Sequence, residues 1–445
     1  MTIDTIFALS SGFGRAALAV LRLSGPHVRD ILLAMLGEVP APRHATLAAF
    51  KNASSGEIID RGLALFFPAP ASFTGEDCAE FHCHGGPAVV AAMLRTLESF
   101  KGVRPAEAGE FARRAFENGK FDLTEVEGLA DLIDAETEAQ RRQALRQTQG
   151  ELGRKVGEWR KLLLDASAHI EAEIDFGEEA DVSALVRQEI LGTIASLADA
   201  LRTELAAAGA GERLREGLVV VIAGPPNAGK STLLNALARR EAAIVSPVPG
   251  TTRDAIEVHL DLAGLPLTLI DTAGLRDSED PVEAIGIERT KVRAAQADLI
   301  LWLSVAAAPE APAAFGEGIE IWPVFTKMDL VERTGLQAEL GSRDGFSLSA
   351  ATGENMDLLL ARLTEFAKSA TGGGQGALLT RERHRRSMAA ALVALEKAQD
   401  EHLRETPELL AEDLRCAIRA LESLIGKIDV EDVLDEIFSR FCIGK

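Results

Sequence analysis

The spacing of apolar residues changes near residue 120 of the chain. Residues 1–118 contain short apolar runs (AALAVLRL, GLALFF and AEFHCH) separated by Gly and Pro, with one stretch of helical spacing, VVAAMLRTLESF. Short apolar runs bounded by turn residues are typical of strands. The pattern therefore predicts a compact α+β domain over residues 1–118.

Two apolar stripes of helical spacing lie far apart in the sequence. The first consists of Leu152, Val156, Trp159, Leu163, Ala166 and Ile170. The second consists of Leu410, Leu414, Ile418, Leu421 and Ile425. Because an amphipathic helix needs a partner for its apolar face, the two stripes are predicted to pack together. They predict one helical domain over residues 119–215 and 372–445, interrupted by an inserted α/β module over residues 216–371.

Glycine-containing segments bracket the inserted module. The sequence AAAGAGERLREG precedes it and TGGGQG follows it. Permissive backbone at both junctions would let the module change its orientation. Solvated linkers without a mechanical role are an equally open interpretation.

Length and charge restrict the possible functions. The chain has 445 residues, which predicts about three domains. Its formal net charge of −21 argues against a broad cationic face for nucleic acid. The 4 cysteines are irregularly spaced, which predicts reduced thiols and no disulfide framework. A signal-peptide pattern and a long apolar run are both lacking, so we expect a soluble cytoplasmic protein.

A phosphate-binding loop is predicted after the apolar run LVVVI. The next residues, GPPNAGKS, match G-x-x-x-x-G-K-[ST] between a strand and a helix. Backbone N–H groups of such a loop surround a phosphate, and the lysine adds a positive charge. The serine hydroxyl binds Mg²⁺. The candidate nucleotide contacts here are Asn227, Ala228, Gly229, Lys230, Ser231 and Thr232, with Lys230 also a catalytic candidate and Ser231 a Mg²⁺ ligand.

Two phosphate-sensing motifs follow in the order that a nucleotide hydrolase requires. PGTTRD offers Thr252 as the switch residue that closes on Mg²⁺ and the terminal phosphate. The apolar strand in LPLTLIDTAG ends at Asp271, which can hold the Mg²⁺ shell, while the Gly274 amide can sense the terminal phosphate. The other candidate contacts in these motifs are Pro249, Gly250, Thr251, Thr272 and Ala273.

The segment IWPVFTKMDL is predicted to select the base. Asp329 can accept hydrogen bonds from N1–H and the exocyclic amino group of guanine, a donor pair that adenine lacks. Lys327 belongs to the same loop, and Ser349 and Ala350 fit the loop that backs the base. Thr326 replaces the usual Asn and has fewer hydrogen-bonding groups, so we expect weaker tethering of the loop. The set predicts a GTP-specific, Ras-like module with a doubly wound sheet.

The group that orients water for hydrolysis is replaced. Leu275 stands where Ras-like proteins carry a glutamine, and no arginine finger is evident. The side-chain carbonyl of Asn227 could help to ligate a monovalent cation. Such a cation would neutralise the charge that develops on the phosphates during hydrolysis. Glu283 could act on the attacking water. A plain loop role for Asn227 and a solvated helical role for Glu283 remain open alternatives.

A His-Cys-His run occupies residues 82–84 in an apparent strand. His82 and His84 share one face and Cys83 lies on the other. A tetrahedral metal site would need further ligands that the sequence does not identify. A structural role is therefore favoured over a metal site.

Motifs spread over nearly the whole chain resemble the MnmE (TrmE) family of tRNA modification GTPases. They are LRLSG, FTGED, HGGP, NGKFDLTEVEGLADLIDA, GPPNAGKS, PGTTRD, DTAGLRD, IGIER and the terminal FCIGK. The segment GFGR departs from the Pro-Pro-Gly-Arg that relatives often have near the start. The local nucleotide motifs recur in many GTPases, whereas the flanking motifs are more restrictive.

The resemblance implies an N-terminal domain that forms a homodimer and binds a tetrahydrofolate one-carbon derivative, in the 5-formyl or 5,10-methylene form. The implied folate contacts are Arg22, Glu80, Lys120 and Lys445. Cys442 lies in FCIGK and is a candidate nucleophile, although a merely buried thiol is the commoner case.

The resemblance also implies potassium-stimulated GTP hydrolysis with Glu283 as the water-orienting acid. The implied K⁺ ligands are Asn227, Ser246, Val248 and Thr251, Pro247 lies in the same nucleotide-binding segment, and Thr252 joins Ser231 at Mg²⁺. Hydrolysis would accompany C5 modification of wobble uridine in tRNA (carboxymethylaminomethyl or aminomethyl type), together with the flavoprotein MnmG (GidA). A GTP-switched ribosome-assembly or RNA-docking factor is the alternative, although no KH-type GXXG loop is evident.

Overall fold

The computed structural model of the chain describes most of its residues. They are 4–12, 14–175, 184–240, 257–271, 297–312, 318–331, 345–374, 376–399, 406–428, 434, 437–439, 441 and 444. By their contacts they fall into two compact units. The first unit lies within Met1–Ala130, Gln147–Gly177 and Pro407–Lys445, and the second within Asp131–Arg146 and Glu178–Thr406.

The described strands and helices follow in chain order. The strands are β1 (Thr5–Leu9), β2 (Leu18–Ser24), β3 (Thr46–Lys51), β4 (Ile58–Phe67), β5 (Cys78–His84), β6 (Val103–Pro105), β7 (Leu218–Ala223), β8 (Glu257–Leu262), β9 (Leu265–Asp271), β10 (Leu299–Val305), β11 (Glu320–Thr326) and β12 (Phe346–Ser347). The helices are α1 (Val28–Leu36), α2 (Pro87–Glu98), α3 (Glu110–Glu117), α4 (Leu123–Asp134), α5 (Glu138–Thr148), α6 (Glu151–Asp175), α7 (Ala184–Glu216), α8 (Lys230–Arg240), α9 (Met356–Ala370), α10 (Glu382–Lys397) and α11 (Pro407–Leu424). None of the described helices combines the length and apolarity of a membrane span.

The first unit contains a six-stranded mixed sheet in the order β3-β4-β5-β2-β1-β6. Alternate residues of β2 and β5, including Leu21 and Phe81, point into a core shared with α1 and α2. The opposite face remains open over β3, β4 and β5, where Leu47 is 78% exposed. This arrangement confirms the predicted α+β fold.

Helices α6 and α11 pack against each other in the first unit. Every member of the two predicted apolar stripes is buried. Ion pairs flank the contact, with Arg160 Nε 2.6 Å from Glu422 Oε1 and Arg415 Nη2 2.6 Å from Glu171 Oε1. The predicted pairing of the stripes is therefore confirmed, because each helix supplies the apolar surface that the other needs.

A network of charged groups is buried in the first unit. The Arg114 side chain is 2% exposed and pairs with Asp4, Glu76 and Glu110 at 2.9, 3.2 and 2.9 Å. Burial alone would raise the pKa of Glu110, but hydrogen bonds from Arg104 and Arg114 outweigh it and hold that pKa below its usual range. Glu110 therefore contributes stability above its unfolded pKa, and this stability is lost as the pH falls through the depressed folded pKa.

The second unit contains a sheet in the order β12-β11-β10-β7-β9-β8. Neighbouring strands are parallel except for the antiparallel pair β8 and β9. Strands β7 and β9 are buried along their whole length, as expected of central strands covered on both faces. This is the predicted doubly wound sheet, and such sheets bind ligands at the carboxyl ends of their strands.

The first glycine-containing junction is helical up to Glu216, which corrects the prediction of permissive backbone at Gly209 and Gly211. AAAGAGERLRE forms the last turns of the 33-residue helix α7, and only the following Gly217 has positive φ, +80°. A Cβ atom on Gly211 would lie 2.2 Å from the carbonyl oxygen of Leu379, and Gln143 Nε2 donates to the Gly211 carbonyl. Close packing thus explains this glycine. At the second junction, Gly372–Gly374 forms a short 3₁₀ turn in which all three residues have positive φ.

The predicted boundaries at residues 118, 215 and 371 remain predictions. The segment Asp131–Arg146, assigned from sequence to the helical domain, packs within the second unit. Its Ala139 N–H donates to the Gly264 carbonyl in the turn between β8 and β9. The grouping by contacts and the predicted domain assignment therefore differ at this segment.

Candidate nucleotide site

The predicted phosphate loop joins the end of β7 to the start of α8. Gly224 has φ +146°, and a Cβ atom there would lie 2.1 Å from the Leu303 carbonyl oxygen. Only glycine fits such an approach. Asn227 adopts the left-handed conformation with φ +62° and is exposed. The loop therefore leads from the buried end of β7 to the N-terminus of α8, the end of a helix that attracts anions.

The Lys230 side chain folds back along this loop. Its Nζ donates to the carbonyl oxygens of Gly224 and Pro225 at 2.8 and 2.9 Å. Lys230 is 9% exposed. Because an ammonium group has three protons, one remains for a phosphate oxygen.

A hydroxyl and a carboxylate meet beside the loop. Ser231 Oγ donates to Asp271 Oδ2 at 2.7 Å. Asp271 ends β9 and is 4% exposed, whereas Ser231 lies at the exposed start of α8 next to Thr232. Oxygen ligands of this kind suit the hard cation Mg²⁺. The donor set therefore fits the predicted role of Ser231 as a Mg²⁺ ligand.

A buried hydrogen bond ties the base-binding loop to the phosphate loop. Thr326 Oγ1 donates to the Ala228 carbonyl at 2.7 Å and also lies 3.2 Å from the Ser304 carbonyl oxygen. Thr326 is 3% exposed, so water competes little for this bond. The weaker tethering predicted for Thr326 relative to Asn stays a prediction, but its hydroxyl at the end of β11 does lie close enough to the phosphate loop to bind it.

The carboxylate predicted to bind the base receives a hydrogen bond from the neighbouring loop. Ser349 Oγ donates to Asp329 Oδ1 at 2.6 Å, and Ser349 is fully buried. Ala350 packs at the edge of the hydrophobic core of the second sheet. Lys327 begins the loop that carries Asp329 and has φ +59°. A carboxylate offers about four acceptor positions, so Asp329 retains acceptors for two donors of a base.

Several predicted site residues lie outside the described part of the chain. They are Ser246, Pro247, Val248, Pro249, Gly250, Thr251, Thr252, Thr272, Ala273, Gly274, Glu283, Cys442 and Lys445. Their assignments remain predictions. The structure does bring together Gly229, Lys230, Ser231 and Asp271 around one loop, with Thr326 connected to it.

The first unit holds a second group of predicted residues. Arg22 Nε and Nη2 donate to Glu80 Oε1 at 3.1 and 2.9 Å. The Arg22 guanidinium also lies over the rings of Phe73 and Phe111, at 5.3 and 6.0 Å from their centroids. Lys120 Nζ donates to the Pro70 carbonyl at 2.9 Å. Arg22 and Glu80 are thus in direct contact, and Lys120 is held by the loop that carries Phe73.

The side chains of the His-Cys-His run do not converge. His82 Nε2 lies 3.2 Å from Glu80 Oε2, and His84 Nδ1 lies 2.9 Å from Asp60 Oδ1. Burial, with a smaller contribution from Asp60, raises the pKa of the Cys83 thiol to about 11, so the thiol stays neutral at pH 7. The sequence did not suggest that His82 contacts Glu80, although their spacing of two residues along one strand was a signal for it.

These features define a GTP-binding P-loop hydrolase. The chain matches two family models. Residues 5–120 match the model described as the GTP-binding protein TrmE N-terminus. Residues 123–442 match the model described as the MnmE helical domain. The chain belongs to the MnmE family of tRNA modification GTPases.

Two curated relatives extend along the full chain, and both are named tRNA modification GTPase MnmE. The protein of Beijerinckia indica is 54% identical over 446 positions that cover 100% of this chain and 96% of the relative. The protein of Rhodopseudomonas palustris is 53% identical over 443 positions that cover 99% of each chain.

Proposed function

We propose that potassium stimulates this GTPase and that the protein acts on the C5 position of wobble uridine in tRNA. In this proposal a tetrahydrofolate derivative supplies the one-carbon unit and the flavoprotein MnmG is the partner. Membership of the family of tRNA modification GTPases supports the substrate class. The observation that carries the proposal is that one chain combines the Lys230 and Ser231 site with a separate Arg22–Glu80 pair. A ribosome-assembly role has no comparable support. A cytoplasmic location is proposed with this tRNA substrate.

The residues around the phosphate loop suggest how GTP is held. Lys230 would donate its remaining proton to a phosphate oxygen, while Ser231 and Asp271 would hold Mg²⁺, which neutralises charge on the phosphates. Leu275 has no group that can orient water. Asn227 is therefore proposed to help bind K⁺, with Glu283 acting on the attacking water.

The first unit offers a pair suited to a pterin ring. A 2-amino-4-oxopyrimidine ring presents two adjacent N–H donors, and an ionised carboxylate accepts both. Glu80 is proposed to accept from this ring through Oε2, the oxygen that Arg22 does not contact. Because two Arg22 nitrogens already bind Glu80, Arg22 is proposed to hold this carboxylate in place. Lys120 is the candidate for the tail carboxylate.

The open sheet face supports the proposed homodimer. Leu18, Leu47 and Leu63 are 53%, 78% and 40% exposed, and strand register places all three on this face. Exposed apolar side chains gathered on one surface are typical of protein interfaces. A second copy of the chain is the proposed occupant.

Substitution of Arg22 or Lys120 by Ala tests the folate assignment. Each change removes a charged hydrogen-bonding group, so the Kd for 5-formyltetrahydrofolate should rise about tenfold. Calorimetry on the full chain measures this value, and the Kd for GTP should stay within about twofold. Lys101→Ala, an exposed lysine of the same unit, is the matched control. Unchanged folate affinity in both variants would overturn the assignment.

A further inference from the structure

The side chain of Thr326 lies between the base-binding loop and the phosphate loop. Thr326 ends β11, is 3% exposed, and is followed by Asp329 in the same TKMD segment. Its Oγ1 lies 2.7 Å from the Ala228 carbonyl oxygen and 3.2 Å from the Ser304 carbonyl oxygen. A Cβ atom on Gly229 would lie 3.9 Å from the same Oγ1. The hydroxyl therefore faces the backbone of the phosphate loop and of β10.

The hydroxyl of Thr326 has a single proton to donate. Its two polar neighbours are carbonyl oxygens, which only accept hydrogen bonds, so this one proton serves both contacts. To donate elsewhere, the hydroxyl would have to give up both buried contacts for one new bond, and a buried acceptor is costly to leave unpaired. The Thr326 proton is therefore not available to a bound nucleotide.

The two edges of guanine present different groups to a protein. N1–H and the exocyclic amino group are donors, and Asp329 is predicted to accept from them. N7 on the other edge is an acceptor, so a protein group that binds it must donate a proton. An ionised Asp329 carboxylate has no proton to donate. Thr326 of the same segment has its proton engaged by the two carbonyl oxygens.

We propose that Thr326 makes this nucleotide site indifferent to N7 of guanine, so that the site binds the base equally well with or without that nitrogen. Thr326 is a positioning residue that holds the base-binding loop against the phosphate loop. The base is selected through the donors that face Asp329. The substrate class therefore includes guanine nucleotides that lack an acceptor at position 7. The inference rests on the proposed GTP site and on the predicted role of Asp329.

Competition between GTP and 7-deaza-GTP for the full chain tests this indifference. The two nucleotides differ only at position 7, where a C–H group replaces N7. The unsubstituted protein should bind both with Kd values within about twofold of each other. A donor that contacts N7 would instead favour GTP by about fivefold, the effect of one hydrogen bond.

Two substitutions of Thr326 separate tethering from recognition of the base. Thr326→Val keeps the shape but removes the hydroxyl, so both Kd values should rise together by about tenfold and their ratio should stay near one. Thr326→Asn supplies an amide with two protons, so one can bind the Ala228 carbonyl while the other is offered to N7. The preference of this variant for GTP over 7-deaza-GTP should therefore rise to about fivefold.

Thr371→Val is the matched control for loss of a buried hydroxyl. Thr371 is 1% exposed, and its Oγ1 donates to the Ala367 carbonyl at 2.6 Å at the end of α9. Both Kd values should stay unchanged in this variant. The ratio of the two Kd values does not depend on the fraction of folded protein, so a destabilised variant still gives a decisive result.

The outcomes distinguish the inference from the site on which it rests. A preference of the unsubstituted protein for GTP overturns the inference: if Thr326→Val abolishes it, the hydroxyl donates to N7, and if it persists there, another donor does so. An unchanged ratio in Thr326→Asn also overturns the inference, because residue 326 would then not decide the contact with N7. If Asp329→Asn keeps the original affinity for GTP, the predicted role of Asp329 is itself overturned.

Discussion

Replacing Asp329 by Asn is expected to change the base preference of this GTPase from guanine to xanthine. Guanine presents N1–H and an amino group, and Asp329 is predicted to accept from both. The amide of Asn keeps one acceptor but places an NH₂ group against the amino group of guanine. Xanthine has a carbonyl at that position and can accept from this NH₂ group. The affinity for GTP should therefore fall by at least about 10³-fold, because a buried donor pair loses its acceptor.

Competition between GTP and XTP for the full chain measures this preference. Ser349 can still donate to the Asn oxygen, so the loop should stay in place and the affinity for XTP should rise. Asp199→Asn is the control, since Asp199 is a largely exposed residue of α7 that pairs with Arg202. If Asp329→Asn retained the original affinity for GTP, the assignment of Asp329 to the base would be wrong.

Replacing potassium by sodium is expected to lower the rate of GTP turnover, and this is the second large effect. No arginine finger is evident in the sequence, so charge developing on the phosphates must be neutralised by another group. A cation placed for this purpose contributes on the order of 10²-fold to the rate, the effect of removing one group that stabilises the transition state. We therefore expect GTP turnover to be about 10²-fold faster in K⁺ than in Na⁺ at equal ionic strength.

The Asn227 side chain tests where this cation binds. Asn227→Gly is the informative variant, because φ of +62° suits glycine and would strain alanine. The variant should lose most of the K⁺/Na⁺ rate ratio. Asn355→Gly is the matched control, since Asn355 has φ +59° outside the phosphate loop. Equal rates in the two salts for the unsubstituted protein would remove the cation from the mechanism.

Those parts of the fold that follow from apolar spacing could be predicted from sequence. The stripes containing Trp159 and Ile418 required buried partners, and α6 and α11 supply them to each other. The run LVVVI likewise became the buried strand β7. Gly211 could not be predicted in this way, because its cause is the approach of Leu379, which is distant in sequence.

The site shows the same division between local and distant causes. The strand, loop and helix around Lys230 follow from local sequence, and so does the position of Asp271 at the end of β9. The bond from Thr326 to Ala228 depends on how close two loops lie, which residue type alone does not reveal. The weaker tethering predicted for Thr326 stays a prediction, whereas the buried position of its bond could be seen only in the structure.

The nucleosides of tRNA from cells that carry Lys230→Ala in place of the original chain test the central claim most directly. The claim is that GTP hydrolysis by this protein drives C5 modification of wobble uridine. Loss of Lys230 removes the positive charge at the phosphate loop, so GTP turnover should fall and the C5 substituent should disappear from wobble uridine. A full complement of this substituent in cells whose protein no longer hydrolyses GTP would contradict the account.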